Sequence, residues 1–389
     1  MENIFYLDNN ATTRMCDEAI EAMATVQRDW FGNASSVHSI GADARACLEE
    51  ARKGIASLIG CKPSELYFTS GGTEANNWAL LGIGDNMLRG HWDIFISAVE
   101  HKSILRFADY LCWGSATAKV KVDGEGVVDL DNLRSLLAKS RAPAFVSVMM
   151  ANNETGIIQP VSDVVKTVKS GSAKSIVHTD AVQAFGKIPV NVQELGVDLM
   201  TISAHKLGGP KGIGALYVRD RVAIRPLLLG GHQERDYRAG TENVAAAVGF
   251  HVAARKRLDA LEEYVTHTFA LSASLQAALL QGLDNVWVNG NGVKRIPNTI
   301  NIGFEGVESD ALVLMLSERG VIVSNGSACE SGSLEGSHVL KAMGRTEAES
   351  RNAIRFSVSD DLETEDIKAV AAHVIEAVTQ LRAMPDVPF

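Results

Sequence analysis

Long apolar runs are missing from this chain. No stretch approaches the roughly 18 residues of a membrane-spanning helix, and ALVLML at residues 311–316 reads as a segment of a core. A surplus of positive charge is missing too: 37 Lys and Arg stand against 47 Asp and Glu, a net charge of −10. That leaves no basic footprint for nucleic acid and suits a solvated acidic surface. The opening MENIFYLDNN lacks the charged and apolar regions of a secretory signal, so a cytoplasmic location is expected, with no direct contact to membrane or nucleic acid. Cysteine is sparse: Cys16, Cys47, Cys61, Cys112 and Cys329 are odd in number, widely spaced and free of any CxxC pair. Neither a disulfide framework nor a structural zinc site is indicated. Nucleotide loops are absent as well. Neither GxxxxGKS/T nor GxGxxG occurs, and the glycines of GGPKGIGALYV precede a strand instead of opening a helix.

What is present is ample core material, with 46% hydrophobic residues in 389 positions. More than one domain of about 100–200 residues is expected from such a length. Between residues 14 and 260 helical and strand patterns alternate. MCDEAIEAMATVQRDW reads as a helix with Ala19, Ile20, Met23 and Gln27 along one face. ELYFTS, DIFISAV, AKVKV, AFVSVMM, SIVHTD and LMTISA read as strands, and the near-continuous apolar character of AFVSVMM suits a strand covered on both faces. The class implied is α/β, with a large domain (14–260) built on a mostly parallel sheet flanked by helices. A long helical stretch from about Val244 to Gln281, with a break, leads into fewer and less regular elements. These form a smaller α+β domain from 261 to 389, which residues 1–13 are expected to join.

Polar residues gather at the expected C-terminal ends of the strands, the edge where open α/β sheets bind ligands. In FTSGGTEANN a strand ends at Ser70, two glycines turn, and a helix starts near Thr73, which offers backbone N–H groups to an anion such as phosphate. In HTDAVQ, Asp180 ends a strand and Gln183 follows three residues later; in TISAHK, His205 and Lys206 end another. Taken singly these read as a helix cap, a turn aspartate and a solvated lysine. Taken together they are the parts pyridoxal phosphate needs: a lysine for a Schiff base, a carboxylate to hold the ring nitrogen protonated, and an anion site. A different feature is VSNGSACESGSLEGS at 323–337, where Cys329 sits among serines and glycines that offer almost no apolar surface. Free cysteine is usually a buried hydrophobe, so this context points to a thiol kept for chemistry.

The chain resembles the cysteine desulfurases of the NifS/IscS type, class V aminotransferases with the fold-type I architecture of pyridoxal 5'-phosphate enzymes. The resemblance runs along essentially the whole length, through YLDNNATT, GNASSVHSIG, FTSGGTEANN, AVEHKSIL, NNETGIIQP, HTDAVQAFGKIP, SAHKLGGPKGIGALYV, GGHQERDYRAGTEN, SNGSACESGS and IRFSVS. Ala34 stands where proline is usual, and Ala204 where glycine is frequent. The resemblance implies conversion of L-cysteine to L-alanine, with sulfur taken by Cys329 as a persulfide and passed to an acceptor, for iron–sulfur cluster assembly, nitrogenase maturation or tRNA thiolation. It implies Lys206 as the Schiff-base lysine, Asp180 on the pyridinium nitrogen and His101 over the ring. Gln183 and Asn153 would contact the ring hydroxyl or substrate, and Gly72, Thr73, Ser203 and His205 would hold the phosphate. Thr241 would reach the phosphate of a partner subunit, hence a homodimer. Arg355 would clamp the substrate carboxylate with its planar fork. No stably bound metal is expected, although Cys329 could ligate a cluster transiently on a scaffold protein; His338, nine residues on, makes no recognised ligand spacing with it. The alternative is a related lyase or aminotransferase acting on selenocysteine or cysteine sulfinate.

Overall fold

A computed structural model describes residues 4–83, 92–110, 117–140, 142–326 and 336–384. Cys112 and Cys329 lie outside the described residues. Twelve strands are found among those described: β1 Phe5–Tyr6, β2 Leu66–Thr69, β3 Asp93–Ser97, β4 Thr117–Val120, β5 Ala144–Ser147, β6 Ile176–Asp180, β7 Leu199–Ser203, β8 Gly214–Val218, β9 Val286–Val288, β10 Thr299–Phe304, β11 Val321–Ile322 and β12 Ala353–Ser357. Seven of them form one sheet in the order β2-β8-β7-β6-β5-β3-β4. All neighbours are parallel except β8, which runs antiparallel to β2 and β7.

Strand periodicity explains why both faces of this sheet are dry. Successive side chains point to opposite faces. Phe95 and Val146 therefore join the core beneath the helices Asp17–Asp29, Ser39–Leu58 and Val244–Asp259. Ile94, Ile96 and Phe145 join a second core with Trp78, Ile104 and Leu105, from the helices Gly72–Leu81 and Lys102–Tyr110. This is the continuous burial expected of AFVSVMM. The first helix differs in detail from the expected face. Ala19 and Val26 are buried and Met23 packs against the core, whereas Ile20 is 42% exposed. Its start also shifts, so that Cys16 occupies the N-cap position and lies outside the helix.

The C-terminal elements build a separate core. The helices Leu261–Gly282, Ser309–Glu318 and Thr364–Ala383 pack on the antiparallel sheet β12-β10-β9, with Phe304, Phe356, Leu275 and Val374 buried between them. The long helical stretch breaks at Ala260, between Val244–Asp259 and Leu261–Gly282. Phe5 and Leu7 belong to this second core, and β1 pairs in parallel with β11. We propose that the two cores correspond to domains of residues 14–260 and of residues 1–13 with 261–389.

One buried ion pair secures the segment GGHQERDYRAGTEN. Arg52 donates to both carboxylate oxygens of Glu234, at 2.7 and 2.8 Å, and both side chains are 3% exposed. Glu234 also accepts from the Phe68 amide, and Arg52 donates to the Leu66 carbonyl, so the pair is satisfied on each side. Glu234, Arg235 and Asp236 all take positive φ (45°, 58° and 70°), a conformation disfavoured for side-chain-bearing residues, and the Arg52 fork holds the first of them in place. Arg52→Ala strands a buried carboxylate and is expected to cost about 3–5 kcal/mol. Denaturant unfolding of the variant measures this, and a loss below about 1 kcal/mol contradicts it.

Candidate functional site

The parallel strands end on a cavity of about 360 Å³. Asp180 closes β6. Ser203 closes β7, and Lys206 follows three residues later, in the short 3-10 turn Ala204–Lys206 and not on the strand itself. The helix Gly72–Leu81 aims its N-terminus at the same space. Gly71 precedes it with φ +155°, and no side chain caps the helix. Thr73 is therefore not the cap that its neighbour Glu74 suggests; the first N–H groups are left for a ligand anion. Gly214 on β8 makes this turn possible, since a Cβ there would lie 2.9 Å from the Gly71 backbone.

Gly72, Thr73, His101, Asn153, Asp180, Gln183, Ser203, His205, Lys206 and Arg355 all line this cavity. Cys329 lies outside the described residues, although Gly326, three positions earlier, lines the cavity. Thr241 lines a different cavity of about 230 Å³, beside Ser70, Gly212 and Arg238. Six lining residues had no role assigned from the sequence: Asn10, Ala11, Asn76, Met149, Val182 and Gly326. For Asn76 the signal was available, because it lies three and four residues after Thr73 and Gly72 on one helix face. Asn10 gave no such signal, since it acts through contacts nearly 200 residues away in sequence.

The polar groups are interlocked. Asp180 is buried; one oxygen accepts from the Val182 amide at 2.9 Å and the other from Asn76 Nδ2 at 2.7 Å. Asn76 Nδ2 also donates to Ser103 Oγ at 2.9 Å. Ser103 in turn serves His101, whose Nδ1 lies 2.7 Å from the hydroxyl and accepts from the Ser103 amide at 3.2 Å. Because a backbone N–H donates to Nδ1, that nitrogen carries no proton, and the neutral ring is protonated on Nε2. Burial pulls the His101 pKa down, the Asp180 charge opposes that, and Lys206 reinforces it. Glu100 is fully enclosed beside it. Burial and the nearby Asp180 push its carboxyl well above the usual range.

Lys206 Nζ donates to the carbonyls of Asn10 at 2.6 Å and Ala11 at 2.7 Å. His205 is held against Thr12 Oγ1 at 3.2 Å, and burial, with Lys206 adding to it, pulls its pKa to about 4. Arg355 is clamped by Asp8 at 2.5 Å and by the Asn153 carbonyl at 2.9 Å. Its Nε is buried without a partner among the described residues. A carboxylate, an amine, an uncapped helix terminus and a guanidinium thus face one enclosed space, which Asn76 also lines. The arrangement fits a planar, phosphorylated ring with a protonated ring nitrogen, next to an amino acid carboxylate. Among the described residues no cluster of metal-ligating side chains is found, and His338 Nε2 lies 3.0 Å from the Glu100 carbonyl oxygen.

The aminotransferase class-V family matches residues 5–370. The cysteine desulfurase of Gluconacetobacter diazotrophicus is 43% identical, over 98% of this chain and 95% of its own. The cysteine desulfurase NifS of Azotobacter vinelandii is 41% identical, over 97% and 93%. The solved structure of a NifS-like protein superposes with a TM-score of 0.91 at 36% identity, over 97% of this chain and all of the other. A NifS-like protein from Rickettsia africae gives 0.87 at 36%, over 98% and 100%.

The strand beneath the site carries a pH dependence. His178, two residues before Asp180, is enclosed between Ser147 Oγ at 2.9 Å and Thr201 Oγ1 at 3.1 Å, and burial pulls its pKa from 6.5 to about 3. The unfolded chain binds this proton more readily than the folded one. The stabilisation is therefore complete above about pH 6.5 and is lost as pH falls towards 3, at ~1.4 kcal/mol per pH unit. Urea unfolding at pH 7, 6 and 5 should show this slope, and His178→Asn should reduce it; identical slopes in the two proteins contradict the assignment.

Proposed function

We propose that this chain, which belongs to the aminotransferase class-V family, is a cysteine desulfurase that binds pyridoxal 5'-phosphate in the Lys206 cavity and takes the sulfur of L-cysteine onto Cys329. Cysteine desulfurases are pyridoxal-phosphate enzymes that act on L-cysteine and pass its sulfur to acceptors. The observation that carries the reading is the convergence of Lys206, Asp180 and the uncapped terminus of helix Gly72–Leu81 on one cavity.

When bound, the cofactor draws electrons from the substrate α-carbon. The protein's own residues supply the rest. Asp180 keeps the ring nitrogen protonated, and Asn76 and the Val182 amide prevent the carboxylate from turning away. Lys206 would hold the cofactor through its aldehyde carbon, and its amine would move the substrate α-proton. Gly72, Thr73, Ser203 and His205 line the cavity and would hold the phosphate. Arg355, which lines the cavity, would meet the substrate carboxylate with its guanidinium. His101 would lie over the ring and offer its Nε2–H as a donor, while Ser103 occupies Nδ1. The Cys329 thiolate attacks the substrate sulfur, the carbon–sulfur bond breaks, and its electron pair ends as a C–H bond in alanine. An ordinary thiol, with a pKa of about 8.5, is only a few per cent thiolate at neutral pH, so the site must lower that pKa or take up the proton.

A homodimer in which Thr241 serves the partner's phosphate is supported by its place in a separate cavity beside Ser70. It is also supported by the exposure of Val37 (98%), Leu229 (86%) and Phe31 (71%), apolar residues that a second copy would cover. The sulfur acceptor is a protein such as an iron–sulfur scaffold, met in the cytoplasm.

Cys329→Ala should retain the visible absorbance of the bound cofactor and lose persulfide formation and sulfide release from L-cysteine. Sulfide release at the wild-type rate by that variant overturns the role of Cys329. Lys206→Ala should abolish the borohydride-reducible attachment of pyridoxal phosphate; labelling of another lysine in that variant overturns the role of Lys206.

A further inference from the structure

Behind the cavity lies a lysine with no role in the chemistry above. Lys187 is 1% exposed, although it is among the longest and most strongly hydrated side chains. Its Nζ donates to Asn10 Oδ1 at 2.6 Å and to Gln183 Oε1 at 2.7 Å. Neither partner is a carboxylate. The charges that bear on it, Lys206, Arg355 and Arg257, are all positive, and with burial they hold its pKa well below the usual lysine range.

The amides around Lys187 are locked in sense. Asn10 Nδ2 donates to the Asn153 carbonyl at 3.3 Å and to Thr299 Oγ1 at 2.9 Å, so Asn10 Oδ1 must face Lys187. Gln183 Nε2 donates to the Asn10 carbonyl at 2.9 Å. Turning the Gln183 amide over would set its NH₂ against the Lys187 N–H and its oxygen against the Asn10 carbonyl, two contacts of like polarity. The remaining N–H of Gln183 has no protein partner among the described residues, and Gln183 lines the cavity.

We propose that Lys187 is a positioning residue that fixes the Gln183 amide so that it presents an N–H, and never its carbonyl, to an anionic oxygen of the ligand, the ring oxygen of pyridoxal phosphate. The inference rests on the reading that this cavity binds pyridoxal phosphate, and its effect is selective for the form of the ligand in which that oxygen is an acceptor. Lys187 acts only through Gln183.

The test is a double-mutant cycle on the full chain with cofactor removed, using wild type, Lys187→Met, Gln183→Leu and the double variant. The readouts are the dissociation constant for pyridoxal phosphate and the pH midpoint of the bound cofactor's visible band. Lys187→Met should raise the dissociation constant about tenfold and move the midpoint. In the Gln183→Leu background the same substitution should change affinity less than about twofold. An equal effect in both backgrounds, or an unchanged dissociation constant, overturns the proposal. If Lys187→Met does not fold, Gln183→Glu decides. It keeps an acceptor for Lys187 and removes the N–H from the cavity, so it should weaken binding at least tenfold, and unchanged binding overturns the proposal. Failure of the wild-type protein to bind pyridoxal phosphate at all would overturn the underlying reading instead.

Discussion

Every hydrogen-bonding group of Asn10 is engaged at the cavity. Its carbonyl accepts from Lys206 and Gln183, its side-chain oxygen from Lys187 and Asn298, its Nδ2 donates to Thr299 and Asn153, and its amide to Ser357 Oγ. The partners come from both cores. Residues 183, 187 and 206 belong to the seven-stranded sheet and its turns, and residues 298, 299 and 357 border the antiparallel sheet. A short N-terminal segment is therefore the joint at which the two halves are set against each other. Buried amides can be satisfied only in one arrangement, and leaving one unmade costs about 1–3 kcal/mol. The joint is accordingly specific as well as strong, and the amine of Lys206 takes its position from it.

The electrostatics of the cavity follow from that packing. Lys187, Lys206 and Arg355 are brought close together, with Asp8 paired to Arg355 and Asp180 on the opposite side of the space. The balance favours an anionic ligand and keeps His101 and His205 neutral. In the neutral state His101 keeps Nδ1 as the acceptor for Ser103 and Nε2–H as a donor. Asp180 acts on both neighbours: after burial, it pushes the Glu100 carboxyl further up, and it opposes the fall that burial imposes on His101.

Much of this was legible before any coordinates. The strands FTS, HTD and TIS, each followed by small or polar residues, put the site on the C-terminal sheet edge because parallel strands cannot end elsewhere relative to their helices. Burial of β5 on both faces followed from its lack of alternation. Where the reading departed from the structure, the cause was local geometry. Lys206 sits in a 3-10 turn beyond the strand end and not on the strand. Ile20 faces outward since the helix Asp17–Asp29 uses the stripe of Ala19, Met23 and Val26 against its neighbours.

The sequence by itself determined the α/β class, the ligand-bearing turns and the chemical types of the groups that face the ligand, because each depends on residues within one strand or turn of each other. Only the tertiary structure decided which proton sits on which nitrogen, that Lys187 is buried against amides alone, and that Asn10 connects both cores. Those properties arise from contacts between positions up to some 350 residues apart, such as Asn10 with Ser357, and from a dielectric environment that exists only once the chain has closed around them.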